Sequence, residues 1–357
     1  MCEGSFLCIL ILFVCNIIII DGHTNNLAWS GGPLHIECEH SAELWTKTGQ
    51  YIRENVIATK AFSFKDDIYV ITPRLKSGVL ATVWLVVRGR RGVELQPFPN
   101  IATHTLADCA ALQNAVDFQF DHLGNLWVLD IGIIETAQSP RCTCPPKIVV
   151  ISSTLGKVTK HIELSSLTEP TSQLQNLVIE YGLGGKTYVY VSDASRGAIL
   201  VHDVSTSTGW LVLACAPAVG IQIALVKPFI THPVLIITRL YHQGVFELDT
   251  AVLKRRNSVA TLRVFGENTK PVLLLGSDMH HVYVRHVECS DVLSWDTRQP
   301  YNASTLINMH SAGPRLTPTS VTADPKKHVI LVLDSNYGDT IYSTIATYQR
   351  ITFIGQL

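Results

Sequence analysis

The chain of 357 residues is 47% hydrophobic and 16% charged, with a formal net charge of -1. Such a composition supplies a large core and excludes intrinsic disorder. The near-neutral balance gives no electrostatic ground for nucleic-acid binding, because the basic clusters Arg88-Gly-Arg90-Arg91 and Lys254-Arg255-Arg256 are short.

The first element in chain order is an apolar run from Phe6 to Ile20, broken by Asn16 and ended by Asp21-Gly22-His23. Its length fits the h-region of a signal peptide, so residues 1–22 are expected to be a leader and 23–357 a single domain. No later stretch is expected to span a membrane. Ile221 to Val226 and Val234 to Ile237 are too short, and Lys227-Pro228 and His232-Pro233 interrupt them. Cys2, Cys8 and Cys15 fall in the leader, leaving Cys38, Cys109, Cys142, Cys144, Cys215 and Cys289. An even set in an exported chain points to disulfides rather than catalytic thiols. Asn302-Ala303-Ser304 is a glycosylation sequon, so Asn302 is expected to carry a glycan in the extracellular space.

Beyond the leader, short β-rich runs follow one another: Ile68 to Ile71, Leu126 to Leu129, Lys147 to Ile151, Thr187 to Val191, Val234 to Ile237, Val282 to Val284 and Val329 to Leu333. Clusters of Gly, Pro, Asn, Asp and Ser bound them, as strands require. The best helix candidate is a short one, Thr250 to Arg256. The strands ending near Val70, Leu129, Val191, Ile237, Val284 and Leu333 recur at the period of four-stranded propeller blades. Asp121-His-Leu-Gly-Asn-Leu-Trp-Val-Leu-Asp130 and Asp324-Pro-Lys-Lys-His-Val-Ile-Leu-Val-Leu-Asp334 share one form: an acidic residue, a turn, and an apolar strand closing on Asp. Such a strand is expected to lie buried between neighbouring blades, its final Asp meeting solvent or backbone amides at the rim. The sequence therefore predicts an all-β, six-bladed β-propeller, with a strand near Leu27 to Trp29 completing the last blade.

From about Tyr51 to Tyr342 the chain resembles the yellow / major royal jelly protein family. The resemblance is carried by Ile68-Tyr-Val-Ile-Thr-Pro-Arg74, by Cys109-Ala-Ala-Leu, by Leu126-Trp-Val-Leu-Asp-Ile-Gly132 and by Cys144-Pro-Pro-Lys147, in that order. Leu75 and Leu80 depart from the Trp and Pro usual in the family. The resemblance implies a secreted six-bladed propeller that acts in pigmentation or cuticle formation, binds small aromatic amines, converts dopachrome, or serves as a nutritional or structural protein. It also implies that Cys109 and Cys144 are paired. Cys215 with Cys289 is a second expected pair, and Cys38 and Cys142 remain; the sequence alone does not choose among pairings.

The expected partner is a small aromatic metabolite at the mouth of the tunnel, where Thr319, Ser320 and Asn336 are the candidate ligand-binding residues. No cofactor is called for. A dopachrome-converting enzyme would need a proton acceptor, and His122 or His242 would serve. Metal binding is not expected: His280, His281 and His286 on one strand do not converge on an ion. Asn114, Asp117, Asp130, Asp193 and Asp334 are the residues that an axial calcium would use, but turn capping is their favoured role. No Gly-x-Ser-x-Gly elbow, dinucleotide fingerprint or phosphate loop occurs.

Overall fold

The computed structural model describes residues 26–355 except 37, 90–91, 217, 230–231, 268–269, 325 and 343–344. The leader expected over residues 1–22 lies outside the described residues. Six four-stranded antiparallel sheets follow one another along the chain. Blade 1 is Lys60–Phe64, Asp67–Ile71, Val83–Gly89 and Gly92–Pro97. Blade 2 is Ala115–Phe120, Asn125–Asp130, Lys147–Ser152 and Lys157–Glu163, with a small hairpin, Ile133–Ile134 against Arg141–Cys142, between its second and third strands. Blade 3 is Leu174–Tyr181, Thr187–Asp193, Ala198–Asp203 and Thr208–Leu213. Blade 4 is Ile221–Phe229, His232–Arg239, Gly244–Asp249 and Arg263–Glu267, and blade 5 is Val272–Ser277, His281–His286, Asp291–Asp296 and Leu306–Ser311. Blade 6 takes Thr317–Asp324, Val329–Ser335 and Tyr348–Gly355 from the end of the chain and Leu27–Ser30 from its beginning. The last pairing, Leu27 opposite Ile351 to Ser30 opposite Tyr348, closes the ring as the sequence predicted.

The continuous apolar runs are the second strands, one position out from the tunnel. In a strand, successive side chains point to opposite faces. Leu126 and Val128 therefore pack with Tyr69 and Ile71 of blade 1, while Trp127 and Leu129 pack with Val189 and Val191 of blade 3. The device repeats around the ring. Tyr188 and Tyr190 meet Leu235 and Ile237, Ile236 meets Val282 and Val284, Tyr283 meets Ile330 and Val332, and Leu331 and Leu333 meet Val70 and Trp84. Both faces of every second strand are thus core, so the sequence cannot alternate there.

The first strands line the tunnel and carry the polar residues. Each inner strand exposes one backbone edge, and buried amides need partners. Neighbouring blades supply them. Leu177 N–H donates to Asp117 Oδ2 (2.8 Å), Ile179 N–H to Gln119 Oε1 (3.0 Å), Ile221 N–H to Gln175 Oε1 (2.8 Å), and Leu274 N–H to Gln222 Oε1 (2.8 Å). Across the closure, Ala61 N–H donates to Ser320 Oγ at 3.1 Å, and Thr322 Oγ1 donates to the Ala61 carbonyl at 3.0 Å. Between blades 5 and 6 the contact is backbone on backbone: a Cβ on Gly276 would lie 1.9 Å from the Val321 carbonyl oxygen. No side chain fits there.

Three α-helices flank the strands among the described residues, one of them Tyr337–Tyr342 in the link between the second and third strands of blade 6. Thr250–Leu253 realises the short helix expected from the sequence, with Asp249 accepting from Ala251 N–H. Glu39–Lys47, which the sequence reading did not anticipate, packs Trp45 against the core between blades 6 and 1. Among the described residues, no helix is long and apolar enough to cross a membrane.

Candidate functional site

Because the strands of each blade alternate in direction, links between second and third strands gather at one end of the ring, together with the links between blades. This upper face holds two cavities. One, of about 480 Å³, lies above blades 1 and 2. The other, of about 500 Å³, lies above blades 5 and 6.

The first cavity rests on a buried arginine. Arg74 follows the second strand of blade 1 and is 3% exposed. Its Nε donates to the Val79 carbonyl (2.9 Å), Nη2 to Leu80 and His104 (both 2.8 Å), and Nη1 to Leu112 (3.1 Å) and Gln113. One guanidinium thus ties the blade 1 loop to the segment that enters blade 2. Burial lowers its pKa to about 10, partly countered by the Asp130 charge, so it stays protonated at neutral pH. Asn114 Oδ1 accepts from Arg74 N–H at 2.7 Å.

Above this floor stand Trp45, Leu80, Ile101, Leu106, Ile134 and Glu135. Glu135 is held at φ +57°, uncommon for a residue with a side chain, by its N–H bond to the Arg74 carbonyl (2.6 Å). Its carboxylate meets Arg141 at 2.6 Å on the solvent side. His104 also lines the cavity. Its Nε2–H donates to the Phe98 carbonyl at 2.9 Å, and Nδ1 accepts from Thr82 N–H at 3.3 Å. Burial first, and the Arg74 charge second, push its pKa down to about 3. It is a neutral ring with both nitrogens engaged.

The His104 shift has a stability consequence. The unfolded chain takes up a proton near pH 6.5 and the folded chain only near pH 3, so stability falls as pH falls through that window. His104→Gln is expected to lose less stability than the wild type between about pH 7 and pH 4.5, measured by urea unfolding. Equal losses would show that His104 is not buried neutral.

The sequence-predicted residues fall in several places. Ser320 is buried and its Oγ bridges to blade 1; Thr319 sits in the bulge between Pro318 and Ser320 and donates to the Leu333 carbonyl (3.3 Å). Asn336 borders the second cavity, but its amide donates to Ala346 O (3.0 Å) and accepts from Tyr348 N–H (2.7 Å). The three are therefore not gathered around one opening. His122 lies in a link between first and second strands, on the lower face, stacked edge-on against Tyr181. His242 lies at the opposite end, its Nδ1 accepting from Gly244 N–H.

The carboxylates cap. Asp130 accepts from the N–H groups of Gln113, Asn114 and Gly132 and lies 2.9 Å from Lys147 Nζ. Asp193 accepts from Gln173 N–H, and Asp334 meets His310 and Arg350. Among the described residues, no group of three or more His, Cys, Asp or Glu is placed to hold a metal ion.

Cys109 and Cys144 form a disulfide joining the loop before blade 2 to the start of its third strand. The expected pair Cys215–Cys289 is corrected: both thiols are free. Cys215 follows the last strand of blade 3 and Cys289 sits within blade 5, so the whole of blade 4 stands between them. Cys38 and Cys142 are also free, and both are exposed. Asn302 caps the turn Ala303–Thr305 on the lower face, away from both cavities.

Residues 113–215, which are blades 2 and 3, match the family model described as Major royal jelly protein. Over 169 residues the chain is 25% identical to Protein yellow of Drosophila melanogaster, covering 46% of this chain and 31% of that protein. Protein yellow of Drosophila pseudoobscura pseudoobscura is 26% identical over 171 residues, covering 46% and 30%. The match thus spans about a third of the length of these curated relatives. A solved luciferin-regenerating enzyme superposes over 87% of this chain and 94% of its own with a TM-score of 0.51, at 11% identity, which is a likeness of fold. The protein is a six-bladed β-propeller with its cavities on the face where the inter-blade links gather. Its sequence resembles the yellow / major royal jelly protein family, most clearly over blades 2 and 3.

Proposed function

We propose that the chain is an exported propeller that captures a small aromatic amine or catechol in the Trp45 cavity and does not convert it. One observation carries this reading: Trp45, Glu135 and the apolar Ile101, Leu106 and Ile134 line one space of about 480 Å³, beside Arg74 and Lys76. A ring would lie against Trp45, Ile101, Leu106 and Ile134, with its ammonium toward Glu135. Trp is the best aromatic partner of a cation, and a cavity of this size suits a small ligand. Export is supported by the apolar Phe6 to Ile20 run, the Asn302 sequon and the Cys109–Cys144 bond. Capture of such molecules outside the cell would serve pigment or cuticle formation.

Conversion of dopachrome needs a proton acceptor beside the ligand. His104, which lines the cavity, is neutral and fully bonded, and His122 and His242 lie outside it at opposite ends of the ring. That leaves Glu135, ion-paired with Arg141, as the one group of the cavity lining that conversion would have to use as its base. Calorimetric titration with serotonin and dopamine, beside a dopachrome-decay assay, separates the readings. The expected result is saturable one-to-one binding with no faster decay. Faster decay that is abolished by heating the protein would favour the enzyme, and no heat in either titration would favour a structural or nutritional role.

A further inference from the structure

The second upper-face cavity differs in chemistry from the first. Arg285, in the second strand of blade 5, forms part of its wall. Its Nε donates to the Pro318 carbonyl (3.1 Å) and its Nη1 to the carbonyls of Val287 (2.7 Å), His286 (3.2 Å) and Cys289 (3.5 Å). These bonds hold the guanidinium plane in one orientation. They engage no Nη2 hydrogen, and among the described residues no carboxylate forms an ion pair with this cation. Arg74 makes a useful contrast, because there all three nitrogens are bonded and the side chain is closed off. Burial lowers the pKa of Arg285, the mark of a cation short of compensating charge.

A second cation, Arg315, lines the same cavity, as do the exposed residues Glu288 and Asp339. Arg315 is exposed, at φ +68° just after Gly313 at φ +78°, in the link from blade 5 to blade 6. It too has no carboxylate ion pair among the described residues. Tyr337, half-buried, lines the same cavity.

We propose that this cavity is a second binding site, taking a small metabolite that carries an oxyanion, a carboxylate or a phosphate, with Arg285 as the fixed donor and Arg315 as the outer clamp. A fixed guanidinium with free N–H groups matches the geometry of an oxyanion, and the hydrogen bonds are charge-assisted. The volume of about 500 Å³ accommodates an aromatic acid as readily as a phosphate ester. The site is separate from the Trp45 cavity, so it stands whether or not amines bind there.

The test titrates the mature chain with 3-phenylpropionate, with inorganic phosphate and with phenethylamine. Saturable binding of either anion, weakened about tenfold or more by Arg315→Asn and by added salt, is the expected result. Asparagine tolerates the left-handed backbone at this surface position, so that variant keeps the fold. Arg285→Lys should abolish binding; if it fails to fold, Arg315→Asn still decides. Binding of 3-phenylpropionate alone assigns a carboxylate ligand, and binding of phosphate alone assigns a phosphorylated one. No binding of either anion at millimolar concentration to folded protein overturns the proposal, as does anion binding that Arg315→Asn and salt leave unchanged.

Discussion

Arg74→Ala is expected to destabilise the propeller by about 3–5 kcal/mol, read as a shift in the urea midpoint at constant slope. The substitution removes a 3%-exposed side chain and the donors for five carbonyls at once: Val79, Leu80, His104, Leu112 and Gln113. Some of those oxygens border the cavity, where water can reach them, which keeps the loss below the sum of five separate bonds. Arg74→Lys should recover part of the loss, since an ammonium keeps the charge but offers fewer donors without the planar fork. A loss under about 1 kcal/mol for the alanine variant would mean that the upper-face loops of blades 1 and 2 hold without this guanidinium.

Trp29→Ala is expected to cost about 3–5 kcal/mol as well, because it empties the closing blade. Trp29 is 6% exposed and packs in the cluster that contains Leu331, Leu333 and Ile351 of blade 6 and Val70 and Trp84 of blade 1. Its strand is the outer partner of Tyr348–Gly355. Removing residues Leu27–Ser30 altogether leaves that strand as an open edge, which pairs readily with other chains. The truncated protein should therefore aggregate on refolding, as light scattering would report. A soluble, monomeric truncation with unchanged stability would show that the ring does not depend on this closure.

The ring was legible because the second strands are core on both faces. Leu126-Trp-Val-Leu-Asp130 and Val329-Ile-Leu-Val-Leu333 read as strands for that reason, and their spacing yielded six blades. The inner strands were harder to read. Leu174–Tyr181 mixes Gln and Asn with apolar residues because those amides bond to the next blade. Outer strands such as Lys157–Glu163 carry exposed charges and little core, so they show no strong pattern. The capping role of Asp130 was readable from its place at a strand end, and it proved to hold three amides.

The cavities were not legible, because distance in the ring is unrelated to distance in the chain. Trp45, Leu106 and Glu135 come from a helix, an inter-blade link and a loop inside blade 2. The glutamate is re-aimed by a left-handed backbone that no local motif announces. Hydroxyls and amides near the last motif looked available for a ligand, yet Ser320 closes the ring and Asn336 holds its own loop. The helix Glu39–Lys47 was missed because it precedes the first repeat and presents a short apolar stripe.

Comparing serotonin titrations of the wild type and Trp45→Ala tests the central claim most directly. The account predicts one-to-one binding to the wild type and affinity at least tenfold weaker in the folded variant, the effect of removing one cation–π face in a partly enclosed cavity. Undiminished binding to Trp45→Ala would place the amine elsewhere on the ring and contradict the account.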